Sequence, residues 1–275
     1  MGHIVWMASY PKSGNTWLRA FLRCVIDADE LLDINRLGDL FPYDVAAHYL
    51  QRLDPRPPTA YTRTETLRMR AGVQRMIADA QPGMALVKTH SALVTEDGHP
   101  SIDPEITAGA VYILRNPLDV AISFSFHTGK SIDDVIDMMN MAHAVTSPTE
   151  HAVSEHIGSW SENVQSWTRR KDGSVHVARY EDMIESPRRT FGGIATFLRL
   201  TPDRSRLERA LRQSSFRVLR ERELRHGFVE KAASATAPFF RAGKTGQWRT
   251  GLTAQQIDRI VAAHHIQMER FGYLP

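Results

Sequence analysis

Cysteine is nearly absent from this chain. Cys24 is the only one in 275 residues, which excludes an intramolecular disulfide. That removes a disulfide-stapled secreted scaffold and fits a reducing compartment. Long apolar runs are missing too, and no stretch approaches the roughly 18 apolar residues that a membrane-spanning helix needs. Met1 to Trp6 enters an apolar run at once, with no basic leader and no small-residue cleavage site. The expectation is a cytoplasmic protein without a membrane span. Charge of one sign is also scarce, since 34 Lys and Arg oppose 31 Asp and Glu for a net +3. The cations fall in short runs such as Arg169-Arg170-Lys171 rather than along one face. Phe124, Phe126 and Trp160 have the helical spacing of core or pocket residues. A nucleic-acid-binding module would cluster its cations or interleave them with exposed aromatics, so it is the weaker, non-enzyme alternative. His264-His265 and the scattered acids assemble no ligand set, and no metal is expected.

Against these absences stands a hydrophobic content of 42%, enough for a sizeable core. Ile4–Ser9, Met84–Val87, Ala110–Leu114 and the weaker Val175–Ala178 read as buried strands. Helical periodicity lies between and after them: Trp17, Leu18, Phe21, Leu22 and Val25, then about Glu65–Ala80, Pro117–Phe126, Ser154–Arg170, Pro187–Leu198 and Thr253–Phe271. Strands alternating with helices predict an α/β fold, a central parallel sheet flanked by helices, as one domain over 1–275. Thr128–Val153, rich in Met and polar residues, and His226–Pro238, with its Ala/Ser/Thr run, look mobile.

The first strand breaks into Tyr10-Pro11-Lys12-Ser13-Gly14-Asn15-Thr16-Trp17 and a helix follows. Backbone N–H groups of such a loop, together with the helix N-terminus, converge on an anion. Gly14 permits close approach, Lys12 adds a mobile charge, and Ser13 and Thr16 add hydroxyls. A bare Lys-Ser-Gly would be an ordinary strand-to-helix turn; its place after the first strand and before a packing helix points to a phosphate site. The nucleotide P-loop, Gly-x-x-x-x-Gly-Lys-Ser/Thr, is absent, and so is a magnesium-binding acid after a strand. A nucleotide or small-molecule kinase is therefore the enzyme-class alternative. A second strand end carries Arg115-Asn116-Pro117, and Ser123 lies two turns into the helix that follows. Arg115 stands where α/β ligands collect. Near the C-terminus, Phe239-Phe240-Arg241-Ala242-Gly243-Lys244-Thr245-Gly246-Gln247-Trp248 sets cations and glycines in one loop.

These segments resemble the 3'-phosphoadenosine 5'-phosphosulfate-dependent sulfotransferases, whose common pattern is Tyr-Pro-Lys-Ser-Gly-Thr-Thr-Trp at the first loop and Arg-Lys-Gly-x-x-Gly-Asp-Trp at the third. The resemblance runs from about residue 4 to 250 and implies a P-loop-kinase-like sulfotransferase fold. It implies that Lys12, Ser13, Gly14, Asn15, Thr16 and Trp17 hold the 5'-phosphosulfate. Arg115 and Ser123 would hold the 3'-phosphate, together with Phe240, Arg241, Ala242 and Gly243. Tyr180, in Tyr180-Glu181-Asp182-Met183, would contact adenine, and Ser215-Phe216 would lie near the nucleotide. Asn15 stands for the commoner Thr, Ala242 for Lys and Gln247 for Asp; Lys244 is a candidate to replace the charge missing at Ala242.

Val87-Lys88-Thr89-His90 ends the second buried run and matches the family's Lys-Thr-His segment. The resemblance implies His90 as general base, with Lys12, Lys88 and Ser123 as the other catalytic residues. The implied reaction moves a sulfuryl group to the hydroxyl of a small-molecule acceptor, in line, releasing adenosine 3',5'-bisphosphate. Gly158 to Trp167 is similar to a segment of bacterial enzymes that sulfate natural products such as glycopeptides. A phenol, sugar or lipid alcohol is equally compatible as acceptor, and a homodimer is compatible as assembly.

Overall fold

In the computed structural model, which describes residues 2–28, 30–80 and 83–275, four strands form the main sheet. They are β1 (His3–Ser9), β2 (Met84–Thr89), β3 (Thr107–Leu114) and β4 (Val175–Arg179), one for each strand read from the sequence. Their order is β2-β1-β3-β4, and β1 runs parallel to β2 from the His3–Met84 pair to Ala8–Thr89. A parallel sheet covered by helices on both faces requires near-continuous apolar strands. The central pair obeys this: β1 is buried from Ile4 to Ser9 and β3 from Gly109 to Leu114. Chain order reverses about β1, with β2 on one side and β3 on the other. Ligands of open α/β sheets collect at carboxyl ends beside such a reversal.

The helices begin and end where their local chemistry dictates. Helix α1 (Asn15–Ile26) starts after Gly14, whose φ of 110° is left-handed. Helix α2 (Arg63–Asp79) opens on a capping box between Thr62 and Glu65. Helix α3 (Pro117–Thr128) has Pro at its first position, an Asn116 side chain accepting from the Leu118 N–H, and left-handed Gly129 at its end. Helix α4 (Trp160–Thr168) is shorter than the Ser154–Arg170 expectation. Gly158 takes a φ of 65° and Ser159 forms a capping box with Glu162, so the preceding residues extend instead and His156 bridges Val145. Helices Arg204–Gln213 and α5 (Phe216–His226) are not foreseen by the periodicity, and α6 (Ala254–Arg270) closes the fold. The Thr128–Val153 stretch is partly a helix, Ile132–Asn140, tied to α6 by Arg259 donating to Asp133 at 2.6 Å.

Contacts cluster into two compact units. The first comprises the chain up to Tyr10, Phe41–Tyr112 and Met139–Val177, and holds α2, α4 and most of the sheet. Its large aromatics are buried with their polar ends satisfied. Trp6 Nε1 donates to Thr107 Oγ1 at 3.1 Å, Tyr112 Oη to Asn163 at 2.8 Å, and Trp167 Nε1 to the Ser91 carbonyl at 2.8 Å. The second comprises Pro11–Leu40, Ile113–Met138 and Ala178–Pro275, with α1, α3, α5 and α6. Leu18, Phe21, Leu118, Phe191 and Ile260 are buried in it, and the Phe21 and Phe191 rings lie 4.4 Å apart. Each such ring contributes about 1.5–3 kcal/mol through burial. Among the described residues no helix is long and apolar enough to cross a membrane.

Candidate functional site

Every residue expected at the donor falls in the second unit. Lys12 (φ 64°) and Gly14 (φ 110°) are left-handed while Ser13 between them is not. Alternation of this kind turns successive backbone N–H groups to one side, the geometry of a nest suited to an anion, here at the start of α1. A non-glycine residue at positive φ costs of order 1–3 kcal/mol, so Lys12 is held there by its surroundings. Part of the hold is visible: Arg115 Nη1 donates to the Lys12 carbonyl at 3.0 Å. A Cβ at Gly14 would stand 2.7 Å from the Tyr180 ring, so glycine is required for two independent reasons.

Arg115 joins the three segments. It is 6% exposed, stacks 4.2 Å from the Tyr180 ring centroid, and reaches the Lys244 carbonyl at 3.4 Å. Arg241 stands over Phe126 at 4.3 Å and donates to Gln247 Oε1 at 2.6 Å. Burial, then the Arg115 charge, lower the Arg241 pKa below its ordinary value. Two partly desolvated guanidiniums near enough to oppose each other suit an anion between them. Two polar atoms here are buried without a hydrogen-bond partner among the described residues: Ser13 Oγ and Arg115 Nε. Gly243 (φ 59°) lies so close to Phe216 that a Cβ would meet its ring at 2.3 Å. Phe216 also packs on Phe240 with centroids 6.3 Å apart, and Ser215 stands at the first position before α5 without a side-chain capping bond. Trp17 meets Tyr180 edge-on at 5.8 Å. Ser123 is half-buried on α3, Ala242 is half-buried in the third loop, and Lys244 is exposed.

Asn15, the departure in the first loop, turns its side chain to accept from Arg19 Nε at 2.9 Å. Arg19 also donates to Thr16 Oγ1 and, bidentately, to Glu230 at 2.8 and 2.7 Å. Lys12 Nζ lies 3.7 Å from the Phe239 ring centroid. The arrangement gathers hydroxyls, guanidiniums, a lysine and aromatic rings around glycine-lined turns, a chemistry that suits an anion.

His90 and Lys88 belong to the first unit. His90 Nδ1 lies 2.8 Å from the Ser9 carbonyl, which can only accept. Nδ1 therefore carries the hydrogen, and in the neutral ring the lone pair sits on Nε2. The backbone of His90 is gripped at both ends: its N–H donates to Glu155 Oε1 at 2.8 Å and its carbonyl accepts from Asn163 Nδ2 at 2.9 Å. Lys88 Nζ stands 4.3 Å from the Tyr43 ring, which meets the His90 ring edge-on at 6.1 Å. Burial and the neighbouring Glu155 carboxylate push the Tyr43 hydroxyl well above its ordinary pKa.

Several residues that organise these clusters escape sequence reasoning. Glu155 and Tyr43 are two. Asp119 is another, accepting from the Gly246 N–H at 2.7 Å and the Trp248 N–H at 3.1 Å and so anchoring the third loop to α3. Glu223 does the same for Phe239 and Phe240, accepting their N–H groups at 2.6 and 2.8 Å. Asp119 alone carries a signal, since it lies inside the Arg115–Ser123 segment. Among the described residues no group of three His, Cys, Asp or Glu side chains is placed to hold a metal ion.

Residues 3–272 match the sulfotransferase domain family. Sulfotransferase 1B1 of Mus musculus is 26% identical over 97% of this chain and 83% of its own length. Sulfotransferase 2A6 of Rattus norvegicus is 25% identical over 96% of this chain and 84% of its own. Among solved structures, retinol dehydratase in complex with androsterone and the inactive cofactor PAP superposes with a TM-score of 0.63 at 19% identity, covering 96% of this chain and 80% of that one. Mouse sulfotransferase SULT7A1 complexed with PAP gives 0.59 at 18% identity, covering 97% and 84%. The two superpositions establish a shared fold, and the family match extends over nearly the whole sequence. The chain belongs to the sulfotransferase domain family and is a sulfotransferase.

Proposed function

We propose that this enzyme transfers a sulfuryl group from 3'-phosphoadenosine 5'-phosphosulfate to the hydroxyl of a small-molecule acceptor, with His90 as general base. The cradle's features fit that donor. The Lys12–Thr16 nest suits a 5'-phosphosulfate and the Arg115–Arg241 pair a second, separate phosphate, with Ser123 on the adjoining helix. Tyr180 and Phe216 offer aromatic surface to adenine, and the buried Ser13 Oγ and Arg115 Nε have capacity for acceptor oxygens. When bound, the donor supplies a sulfur atom that bonds the acceptor oxygen as its bridge to the 5'-phosphate breaks, leaving adenosine 3',5'-bisphosphate.

The chain's own residues then have definite tasks. His90 takes the acceptor's hydroxyl proton at Nε2, and Nδ1–H stays on the Ser9 carbonyl. Lys12 exchanges the Phe239 ring, a contact of about 0.5–2 kcal/mol, for a stronger charge-assisted bond at the leaving oxygen. Lys88 offers its ammonium to sulfuryl oxygens. The observation that carries the role of His90 is its tautomer, set by an obligate acceptor at 2.8 Å.

The test is His90→Ala. Turnover with the best member of a phenol, alkyl alcohol and sugar panel should fall by about 10²–10⁴-fold. Affinity for adenosine 3',5'-bisphosphate should stay within about twofold, because binding and proton transfer are separate tasks. Near-normal turnover in this variant overturns the assignment.

A further inference from the structure

Beneath His90 lies a polar network buried to an unusual degree for its charge: Asp44 is 0% exposed, Arg70 1% and Glu155 3%. Its bonding directions follow from groups that can only donate. Arg70 Nη2 donates to Ser91 Oγ at 3.0 Å, so the Ser91 hydroxyl donates onward to Glu155 Oε1, also at 3.0 Å. The Ser91 N–H donates to Thr89 Oγ1 at 3.1 Å, so that hydroxyl donates to Glu155 Oε1 at 3.3 Å. The His90 N–H and the Tyr43 hydroxyl complete the set. Three of these donors meet Oε1 and the Tyr43 hydroxyl meets Oε2, a set of partners that suits a carboxylate. Glu155 is itself fixed, its N–H donating to Thr146 Oγ1 at 2.9 Å and its carbonyl accepting from the Thr146 N–H at 2.9 Å.

Two buried acids, Asp44 and Glu155, face one buried arginine. Arg70 pairs directly with Asp44, Nη2 to Oδ2 at 2.6 Å, and meets Glu155 only through the Ser91 hydroxyl. Burial raises the Asp44 pKa, and the Arg70 charge opposes that rise. Around Glu155 the remaining titratable groups are Tyr43 and Asp44 on the segment before α2, Lys88 and His90 at the end of β2, and His156 beside it. Lys88 contacts the Tyr43 ring, while His156 is engaged with Glu96 and Arg63. Glu155 therefore stands as a buried acid against the backbone from which His90 projects.

We infer that Glu155 is the positioning residue of the base: it fixes the Thr89–Ser91 backbone and, through its charge, favours the imidazolium that His90 becomes on taking the acceptor's proton. The inference rests on His90 acting as base, but its physical content is measurable without turnover. An anion within about 4–6 Å raises a histidine pKa by about one unit or more.

The experiment follows the ¹³C-labelled His90 ring by NMR across pH, the signal being assigned by its loss in His90→Gln. In Glu155→Gln the titration midpoint should fall by about one unit, and the acid limb of kcat/KM should move with it. In Glu155→Asp, which keeps the charge, the midpoint should stay within about 0.3 units. An unmoved midpoint in Glu155→Gln overturns the inference, as does an equal fall in both variants. Should Glu155→Gln fail to fold, a midpoint in Glu155→Asp that falls by about a full unit overturns it and a retained one upholds it. Failure of the base assignment would show separately, as turnover surviving in His90→Ala while the His90 titration still responds to Glu155.

Discussion

Arg115 Nη1 donates to the carbonyl of Lys12 at 3.0 Å, binding the residue expected to read a 3'-phosphate to the backbone of the loop expected to hold a 5'-phosphate. The same guanidinium reaches Lys244 at 3.4 Å and stacks on Tyr180. The parts of the cradle are thus coupled, and loss of one should be felt by the others.

Gly243→Ala tests that coupling. The new Cβ would sit 2.3 Å from Phe216 on a backbone at φ 59°. Left-handed strain alone costs about 1–2 kcal/mol. Displacement of Phe216 should in addition weaken adenosine 3',5'-bisphosphate binding by roughly tenfold, since the ring borders the proposed adenine site. Calorimetry and urea unfolding read the two effects. Unchanged affinity would remove Phe216 from the donor site.

The Arg19–Glu230 clasp ties the His226–Pro238 stretch to α1, the helix that follows the first loop. Arg19 is 1% exposed and Glu230 25%, so the pair is only half shielded. Glu230→Gln should cost about 1–2 kcal/mol, below the 3–5 kcal/mol of a fully buried pair. Amide hydrogen exchange over residues 228–238 should rise at the same time. Exchange unchanged there would show that other contacts hold the stretch.

Acid stability should depend on His264. Burial lowers its pKa to about 4, against 6.5 for a free ring. The unfolded chain binds this proton first, so the group's contribution is full above pH 6.5 and is lost as pH falls toward 4. The lost amount is on the order of 3 kcal/mol. The melting temperature should drop across that window in the wild type and drop less in His264→Gln. Parallel curves would assign the acid transition to other groups.

What was legible in the sequence was what is local. The strand, glycine turn and apolar helix face around Gly14 are adjacent in the chain, as are Arg115 and the Pro117 that starts α3. Periodicity therefore located all four strands, and the departure at Asn15 proved to be a side chain turned to Arg19. Glu155, Glu223 and Glu230 were not legible. Each acts on donors that are distant in sequence or in irregular backbone, and an acidic residue in a polar stretch reads as solvated. Helices Arg204–Gln213 and α5 were missed for a related reason: Ala210 is the only residue buried in the former, and Leu219 and Glu223 the only two in the latter. With so few buried residues among so many charged ones, both segments read as solvated.

The central claim, a donor recognised by its 3'-phosphate, is tested most directly by calorimetry of adenosine 3',5'-bisphosphate against ADP in the wild type and in Arg115→Ala. The ratio of affinities is the readout, because a general loosening of the loops would weaken both nucleotides together. The wild type should prefer the bisphosphate by about 10- to 100-fold, as one or two charge-assisted bonds allow, and Arg115→Ala should lose most of that preference. Equal binding of the two nucleotides by the wild type, with no change in Arg115→Ala, would contradict it.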